Sequence, residues 1–457
     1  MSPKKLFGTD GIRGVANVEP LTADLALNVG RAVKEYFAGK SKRIDNQTLI
    51  LIGKDTRRSS YMFELALAAG ITSLGGKALL LGPMPTPGVA YLTRSMRADA
   101  GIMVSASHNS YEYNGIKIFG HDGFKLNDQE EAEIEDLILK KNWLSHLPTH
   151  ENLGPARRID DVMGRYIVTV KNSFPEEIDL SGFRIILDCA NGAAYSCAPR
   201  VFNELNAEVI TFGIEPNGTN INEKCGALYP QKMCEKVSHM RADIGFALDG
   251  DADRIVVSDE NGELLDGDQL LAILAIHLKN EGRLYKDTLV VTRMSNMGLE
   301  LALRKNGIKI HYSKEIGDRS VVNAMKKHGF TLGGEQSGHI VFSEFNSTGD
   351  GLIAALNLLA VIKKTGKKIS QLKKVMDPLP QVLKNIKVTH KPPLEGLKNV
   401  QAAILNGKNI LKDKGRVLVR YSGTEPLCRV MVEGESSKVI NSVANELSDV
   451  IKKSVNI

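Results

Sequence analysis

A chain of 457 residues is too long for one compact hydrophobic core, so three or four domains are expected. Its 42% hydrophobic and 25% charged residues are ordinary globular usage, and a formal charge of +6 with no basic arm or like-charge block argues against nucleic acid as a partner. The five cysteines (Cys189, Cys197, Cys225, Cys234 and Cys428) follow neither a disulfide framework nor a zinc pattern and read as reduced thiols. MSPKKLFGTDG carries no apolar leader, and the longest apolar run, around Ala354 to Ile362, falls far short of a membrane span. A cytoplasmic protein with no membrane partner is expected.

In chain order, FGTDGIRG (Phe7 to Gly14) comes first, its glycines allowing close backbone approach around Arg13. Thr22 then precedes an apolar-periodic run that stops near Gly39, which predicts an N-capped helix ending at glycine. From there a pattern occurs three times. LILIGKD (Leu49 to Asp55), RIILDCANG (Arg184 to Gly192) and TLVVTRMSN (Thr288 to Asn296) each read as a buried parallel strand entering a polar loop. Each is followed by a helix-like segment and a second strand, KALLLG, AEVITFG or IKIHYS. Another helix then leads to a third strand that ends in a chemically loaded loop: Ser105 to Asn109, Asp249 to Arg254, and Glu335 to His339. Two repeats share a pentad before that strand, Arg97-Ala98-Asp99-Ala100-Gly101 and Arg241-Ala242-Asp243-Ile244-Gly245. Alternation of this kind predicts α/β units with mixed, mostly parallel sheets, and in such sheets ligands gather at the carboxyl ends of strands.

The last part differs. From about Pro380 the order is strand, helix, then two strands (Arg416 to Arg420 and Leu427 to Glu433) joined by a tight turn at Ser422-Gly423-Thr424. A closing helix is expected to pack Val439, Val443, Leu447 and Val450 on one face. This reads as a smaller α+β domain. The expected domains are 1–156 with the serine loop, 157–258 with the aspartates, 259–378 with the GEQSGH loop, and 379–457 with the SGT turn.

Asp249, Asp251 and Asp253 in DGDADR can turn three carboxylates onto one hard cation, and the vacant coordination position suits Mg²⁺ with a phosphate oxygen. An EF-hand is excluded, because Arg254 stands where the sharp turn needs glycine and the strand-like IVVSD follows. Ser107 in SASHN becomes a candidate phosphoryl acceptor once a cation cage is at hand; there is no G-x-S-x-G elbow for a hydrolase triad. In isolation the same serine would read as a turn residue beside Asn109. His108, with no second ligand at metal spacing, is expected to position or hydrogen-bond. Arg13 and Lys117 are candidates for charge control. Glu335, Ser337 and His339 offer hydrogen bonds to sugar hydroxyls or an amino group. Arg420, Ser422, Gly423 and Thr424, with Arg429 on the next strand, form a candidate anion nest.

Together these stretches, with GKDTR (Gly53 to Arg57), GPMPTPGVAYLTR, MSNMGLE (Met294 to Glu300), TGDG (Thr348 to Gly351) and RYSGTEPLCRVMVEG, resemble the phosphoglucosamine mutase branch of the α-D-phosphohexomutase superfamily over nearly the whole length. The resemblance implies four domains around a central cleft, the first three alike. It implies a phosphorylated Ser107, Mg²⁺ on Ser107, Asp249, Asp251 and Asp253, and assistance from Arg13, Lys117 and His108. Substrate would be held by Arg254, Glu335, Ser337, His339, Arg420, Ser422, Gly423, Thr424 and Arg429. The implied reaction is reversible conversion of glucosamine 6-phosphate to glucosamine 1-phosphate, with glucosamine 1,6-bisphosphate as intermediate or activator. Its implied setting is the synthesis of UDP-N-acetylglucosamine and peptidoglycan precursors. Alternatives on the same machinery are a phosphomannomutase or phosphoglucomutase, and a non-catalytic sugar-phosphate binder. The oligomeric state stays open, a homodimer included. Two departures are Ser110 where the family usually has proline, and Cys225-Gly226-Ala227-Leu228-Tyr229-Pro230 in place of a CGSTHP-like run.

Overall fold

The computed structural model describes residues 6–8, 10–40, 47–421 and 426–455. The chain divides into two compact units, Met1–Met294 with Gly307–Lys374, and Ser295–Asn306 with Val375–Ile457.

Three sheets belong to the first unit. The first is built from β1 (Ile12–Val15), β2 (Leu49–Lys54), β3 (Lys77–Pro83), β4 (Ala100–Val104), β5 (Tyr113–Gly120) and β6 (Ala156–Arg158), in the order β1-β5-β4-β2-β3-β6. The second has β7 (Arg184–Asp188), β8 (Glu208–Phe212), β9 (Ile244–Leu248), β10 (Ile255–Ser258) and β11 (Leu264–Leu265), in the order β11-β10-β9-β7-β8. The third has β12 (Thr288–Val291), β13 (Lys309–Tyr312), β14 (Leu332–Gly334) and β15 (Ile340–Phe342), in the order β13-β12-β14-β15.

One plan underlies all three. The first strand of each repeat lies between the second and third and is parallel to both, and the next strand turns back antiparallel beside the third. Each loaded loop is therefore the reversal between the third strand and its antiparallel neighbour: after Val104, after Leu248 and after Gly334. The central strands are buried along their length, LILIGK at β2 and TLVV at β12 among them, as strands covered on both faces must be. β6 carries the first sheet past residue 156, and β11 carries the second past 258.

The N-terminal helix begins as its cap predicts, with Thr22 Oγ1 accepting from Leu25 N at 3.2 Å, and runs Ala23–Ala38. Gly39 follows it in a right-handed rather than left-handed conformation. This helix crosses the helix Arg58–Ser73 at a pair of glycines. A Cβ on Gly30 would stand 2.3 Å from Leu67 O, and one on Gly70 would stand 2.1 Å from Leu27 O. The third repeat docks on the first through ion pairs from its helix Asp318–His328: Asp318 with Lys125, Arg319 with Glu131 and Asp128, and Lys326 with Asp122.

The second unit holds an antiparallel sheet of β16 (Gln381–Lys387), β17 (Gly415–Tyr421) and β18 (Leu427–Gly434), in the order β16-β18-β17. Helices Lys398–Leu411 and Ser437–Val455 cover one face with a core that includes Val400, Val417, Val430, Val432, Val443 and Leu447. The stripe expected on the last helix needs correction. Val439 is exposed and Val450 only half-buried, while Ile440, Val443, Ala444, Leu447 and Ile451 face the core. A 3.6-residue period places Ile440 and Ile451 on the face that holds Val443 and Leu447. The helix Met297–Lys305, from the third repeat by sequence, packs in this unit. Its start is fixed by Glu433 Oε1, which accepts from Met297 N at 2.9 Å, and by Asn296, whose side chain bonds Leu379 N and O at 2.9 and 3.0 Å. No described helix is long and apolar enough to cross a membrane.

Gly70→Ala is expected to lower stability by about 1–3 kcal/mol through overpacking, although alanine alone would favour the helix by about 1 kcal/mol. Urea unfolding measures it, and an unchanged or raised midpoint would contradict the crossing geometry.

Candidate active site

Ser107 follows β4 in a left-handed backbone conformation, φ 52°. A serine adopts that only at a cost of order 1 kcal/mol, so neighbours must hold it. Ser105 Oγ accepts from Ser107 N at 2.9 Å. Arg57, wholly buried and paired with Asp55, donates from Nη2 to the carbonyls of Ser107 at 3.1 Å and Asn109 at 2.6 Å. The hydroxyl thereby points out of the first domain, and Ser107 Oγ donates to Asp249 Oδ2 at 2.6 Å. His108 Nδ1 lies 3.2 Å from the same hydroxyl. Burial, reinforced by Arg254 and Arg13, pushes His108 down to about 4, so its ring is neutral at neutral pH.

Asp249, Asp251 and Asp253 are all buried, and each offers an oxygen within 4.8 Å of the others. Asp251 is fixed by the first domain: Thr86 Oγ1 donates to its Oδ2 at 2.6 Å, and Thr86 N to its backbone carbonyl at 2.9 Å. Asp251 Oδ1 and Asp253 Oδ1 are buried with no hydrogen-bond partner among the described residues. Burial, followed by Asp253 and Asp251, pushes Asp249 well above the usual carboxylate range. Buried oxygens without donors and crowded like charges are what a cation relieves, and an all-oxygen donor set suits a hard one. The residues fit a metal.

Lys117, on β5, reaches the trio from the first domain. Its Nζ lies 2.8 Å from Asp251 Oδ2, 3.4 Å from Asp10 Oδ2 and 3.8 Å from Asp253 Oδ2. Burial disfavours its charge, but Asp10, Asp251 and Asp253 outweigh this and hold it protonated. Asp10 also pairs with Arg13, and its Oδ1 accepts from Lys125 Nζ at 2.5 Å. Lys125 in turn pairs with Asp318. From there Asp318 Oδ2 is 3.9 Å from His339 Nε2, and His339 Nδ1 is 3.7 Å from Asp253 Oδ2. The groups Lys117, Asp10, Lys125, Asp318, His339 and Asp253 thus close a ring that draws on all three α/β domains.

The third loop joins the second domain directly, with Ile255 N donating to Gly338 O at 3.1 Å. His339 is buried and its Nε2 accepts from Gly349 N at 3.1 Å. Glu335 is half-buried, and burial raises its carboxyl; Ser337 is exposed. Arg254 donates its backbone N–H to Asp249 Oδ1 at 3.2 Å, with its guanidinium 3.8 Å from Asp253.

In the second unit, Arg420 on β17 stands directly opposite Arg429 on β18, which stands opposite Asn385 on β16. Like charges at opposed positions of a sheet are unfavourable. Burial and Arg429 lower Arg420 from its usual value. Ser422, Gly423 and Thr424 lie outside the described residues.

The structure therefore brings Ser107, His108, Arg13, Lys117, Asp249, Asp251, Asp253, Arg254, Glu335 and His339 together in one unit. Sequence reasoning missed Asp10, Arg57, Thr86, Lys125 and Asp318. Asp10, Arg57 and Thr86 lie inside motifs named above; Lys125 and Asp318 carry no local signal, because Lys125 meets Asp10 and Asp318 across 115 and 193 residues of chain.

Lys125→Met leaves the Asp10 and Asp318 carboxylates without their shared cation. It is expected to cost about 3–5 kcal/mol in chemical unfolding, with partial recovery when Asp318→Asn is added. Asp251→Asn should weaken divalent-cation binding by roughly tenfold or more in titration calorimetry; equal binding would place the ion elsewhere.

The chain matches the Phosphoglucomutase/phosphomannomutase alpha/beta/alpha domains I, II and III at residues 4–144, 164–262 and 266–379, and the C-terminal domain at 383–450. It is 55% identical over 450 residues to the phosphoglucosamine mutase of Pelobacter propionicus, covering 98% of each chain. It is 52% identical over 452 residues to that of Geobacter metallireducens, covering 99% of each. Among solved structures it resembles in fold a phosphoglucomutase/phosphomannomutase family protein of Burkholderia thailandensis (TM-score 0.80, 22% identity, 98% and 97% of the two chains). It also resembles Aspergillus fumigatus N-acetylphosphoglucosamine mutase in complex with GlcNAc-6P and magnesium (TM-score 0.70, 17% identity, 99% and 97%). Four domain matches in order and half-identical relatives along the full length lead to one conclusion: the chain belongs to the phosphoglucosamine mutases of the phosphoglucomutase/phosphomannomutase family.

Proposed function

We propose that the chain interconverts glucosamine 6-phosphate and glucosamine 1-phosphate through a phosphorylated Ser107. The observation that carries this reading is the Ser107 hydroxyl 2.6 Å from Asp249, at a buried carboxylate trio that Lys117 also contacts. In the first half-reaction the free O1 hydroxyl of the sugar attacks the phosphoserine phosphorus. The P–O1 bond forms, the P–Oγ bond breaks, and the proton lost from O1 is balanced by the one Oγ takes up to become a hydroxyl again. In the second, Ser107 Oγ attacks the 6-phosphate of the bisphosphate; P–Oγ forms as Oγ gives up its proton, P–O6 breaks, and O6 takes up a proton, so that no net proton is gained or lost. A magnesium ion on Asp249, Asp251 and Asp253 would neutralise the charge carried by the moving phosphoryl group.

The chain's own groups supply the rest. Lys117 and Arg13 stabilise negative charge on the transferring group, and His108 hydrogen-bonds the serine oxygen. Glu335 and His339, with Ser337 and Arg254, orient the sugar, the Glu335 carboxylate favouring an amine. Arg420 and Arg429, with Ser422, Gly423 and Thr424, bind the phosphate that is not reacting, in either orientation of the sugar. Transfers of this kind depend mainly on positioning and electrostatic stabilisation. On this reading the four domains are 1–156, 157–258, 259–378 and 379–457, and the product feeds amino-sugar nucleotide synthesis.

The phosphorylated protein should turn over glucosamine 6-phosphate faster than glucose or mannose 6-phosphate. A preference for either neutral sugar would overturn the amino-sugar assignment. Ser107→Ala should lose the covalent phosphate by intact mass and roughly 10³-fold or more of the activity; undiminished turnover would end the covalent route. Chelation should stop the reaction and added Mg²⁺ restore it.

A further inference from the structure

The backbone carbonyls of Ser107 and Asn109 are held by two side chains, and only one of them belongs to their own domain. Arg57 Nη2 donates to Ser107 O and Asn109 O from within the first domain. Asn222 Nδ2, from the second domain, donates to the same two carbonyls, each at 2.9 Å. Four hydrogen bonds thus close around the serine loop, half of them delivered across a domain boundary. We infer that Asn222 is a positioning residue for the phosphoryl transfer, coupling the docking of the aspartate domain to the aim of the Ser107 hydroxyl; this inference rests on the function proposed above.

Three further observations point the same way. Asn222 has its own left-handed backbone, φ 58°, and its N–H is fixed by Ala190 O at 2.9 Å. The loop that carries it is anchored by the buried Asp188, which accepts from Ala190 N at 2.9 Å and Gly226 N at 2.6 Å. Lastly, Gly250, inside DGDADR, leaves the space the clamp occupies. A Cβ there would stand 2.5 Å from Ser107 O and 2.9 Å from Asn222 Nδ2. The metal-binding loop and the clamp therefore meet at one carbonyl.

The physical argument is short. The left-handed conformation of Ser107 is costly, and its carbonyl is a buried acceptor that must be satisfied. Without Asn222 the loop keeps Arg57 but loses the contact that exists only when the second domain is in place. The hydroxyl then samples directions away from Asp249, and the reacting geometry is populated less often, which lowers the transfer rate without touching substrate contacts.

Two variants separate this from general damage. Asn222→Gly removes the amide while tolerating the positive φ, and Asn222→Asp keeps the shape but turns a donor toward two carbonyls into an acceptor. With glucosamine 6-phosphate and Mg²⁺, kcat should fall roughly tenfold or more in Asn222→Gly, which removes both hydrogen bonds to the serine loop, and further in Asn222→Asp. KM should stay within about twofold of the parent, since uniform binding is untouched. The ³¹P resonance of the phosphoserine should move in both variants at unchanged melting temperature. Equal kcat in both variants, or KM rising with kcat intact, would overturn the inference, as would a loss of rate matched by loss of fold. Failure of the parent protein itself to turn over glucosamine 6-phosphate would count against the proposed function instead, and is read in the same assay.

Discussion

Three carboxylates forced together out of water are the constraint around which the first unit is arranged. Unit charges up to 4.8 Å apart repel by about 3 kcal/mol at an effective dielectric near 20. The protein meets part of that cost with Lys117, which is buried and within 4 Å of Asp10, Asp251 and Asp253. It meets more with Arg254 beside Asp253 and with Thr86 on Asp251. The remaining donor-free oxygens of Asp251 and Asp253 fit a hard cation. Burial and charge compensation here serve chemistry, because the same arrangement that tolerates the trio places a serine hydroxyl against it.

That compensation cannot be supplied by one domain. Asp10, Lys117 and Lys125 come from the first sheet's domain, Asp253 from the second, Asp318 and His339 from the third. An unpaired buried charge is costly, and in this ring Lys117 and Lys125 each stand between carboxylates. The three repeats are thus held in register by the electrostatics of the site they form. Their shared topology makes this possible: each sheet turns its third strand back at the same place, so three unrelated loops emerge at equivalent ends.

The second unit follows a different logic. Its sheet buries one face against two helices, and the strand-opposed Arg420 and Arg429 concentrate positive charge on the other. Glu433, buried in the same sheet, is matched by Arg416 and by the first N–H of the helix Met297–Lys305. A helix that sequence order assigns to the third repeat is captured in this way, through a carboxylate at its N-terminus where the helix dipole favours negative charge.

The sequence alone determined the repeats, the strand–helix alternation and the loops that carry chemistry, because short continuous apolar runs bounded by turn residues are local signals. DGDADR and SASHN were legible as a candidate cation cage and a candidate phosphoryl acceptor because their residues are adjacent in the chain; Lys117 drew its candidate role from the resemblance rather than from its neighbours. Tertiary structure alone decided the rest. It paired Lys125 with Asp10 and Asp318, brought Arg57 and Asn222 onto the carbonyls of Ser107, and moved the helix Met297–Lys305 into the second unit. It also showed that Ile440 and Ile451, not Val439, complete the buried face of the last helix. Each of these depends on contacts between residues far apart in the chain, and a one-dimensional pattern carries no information about which distant charge or carbonyl a side chain will meet.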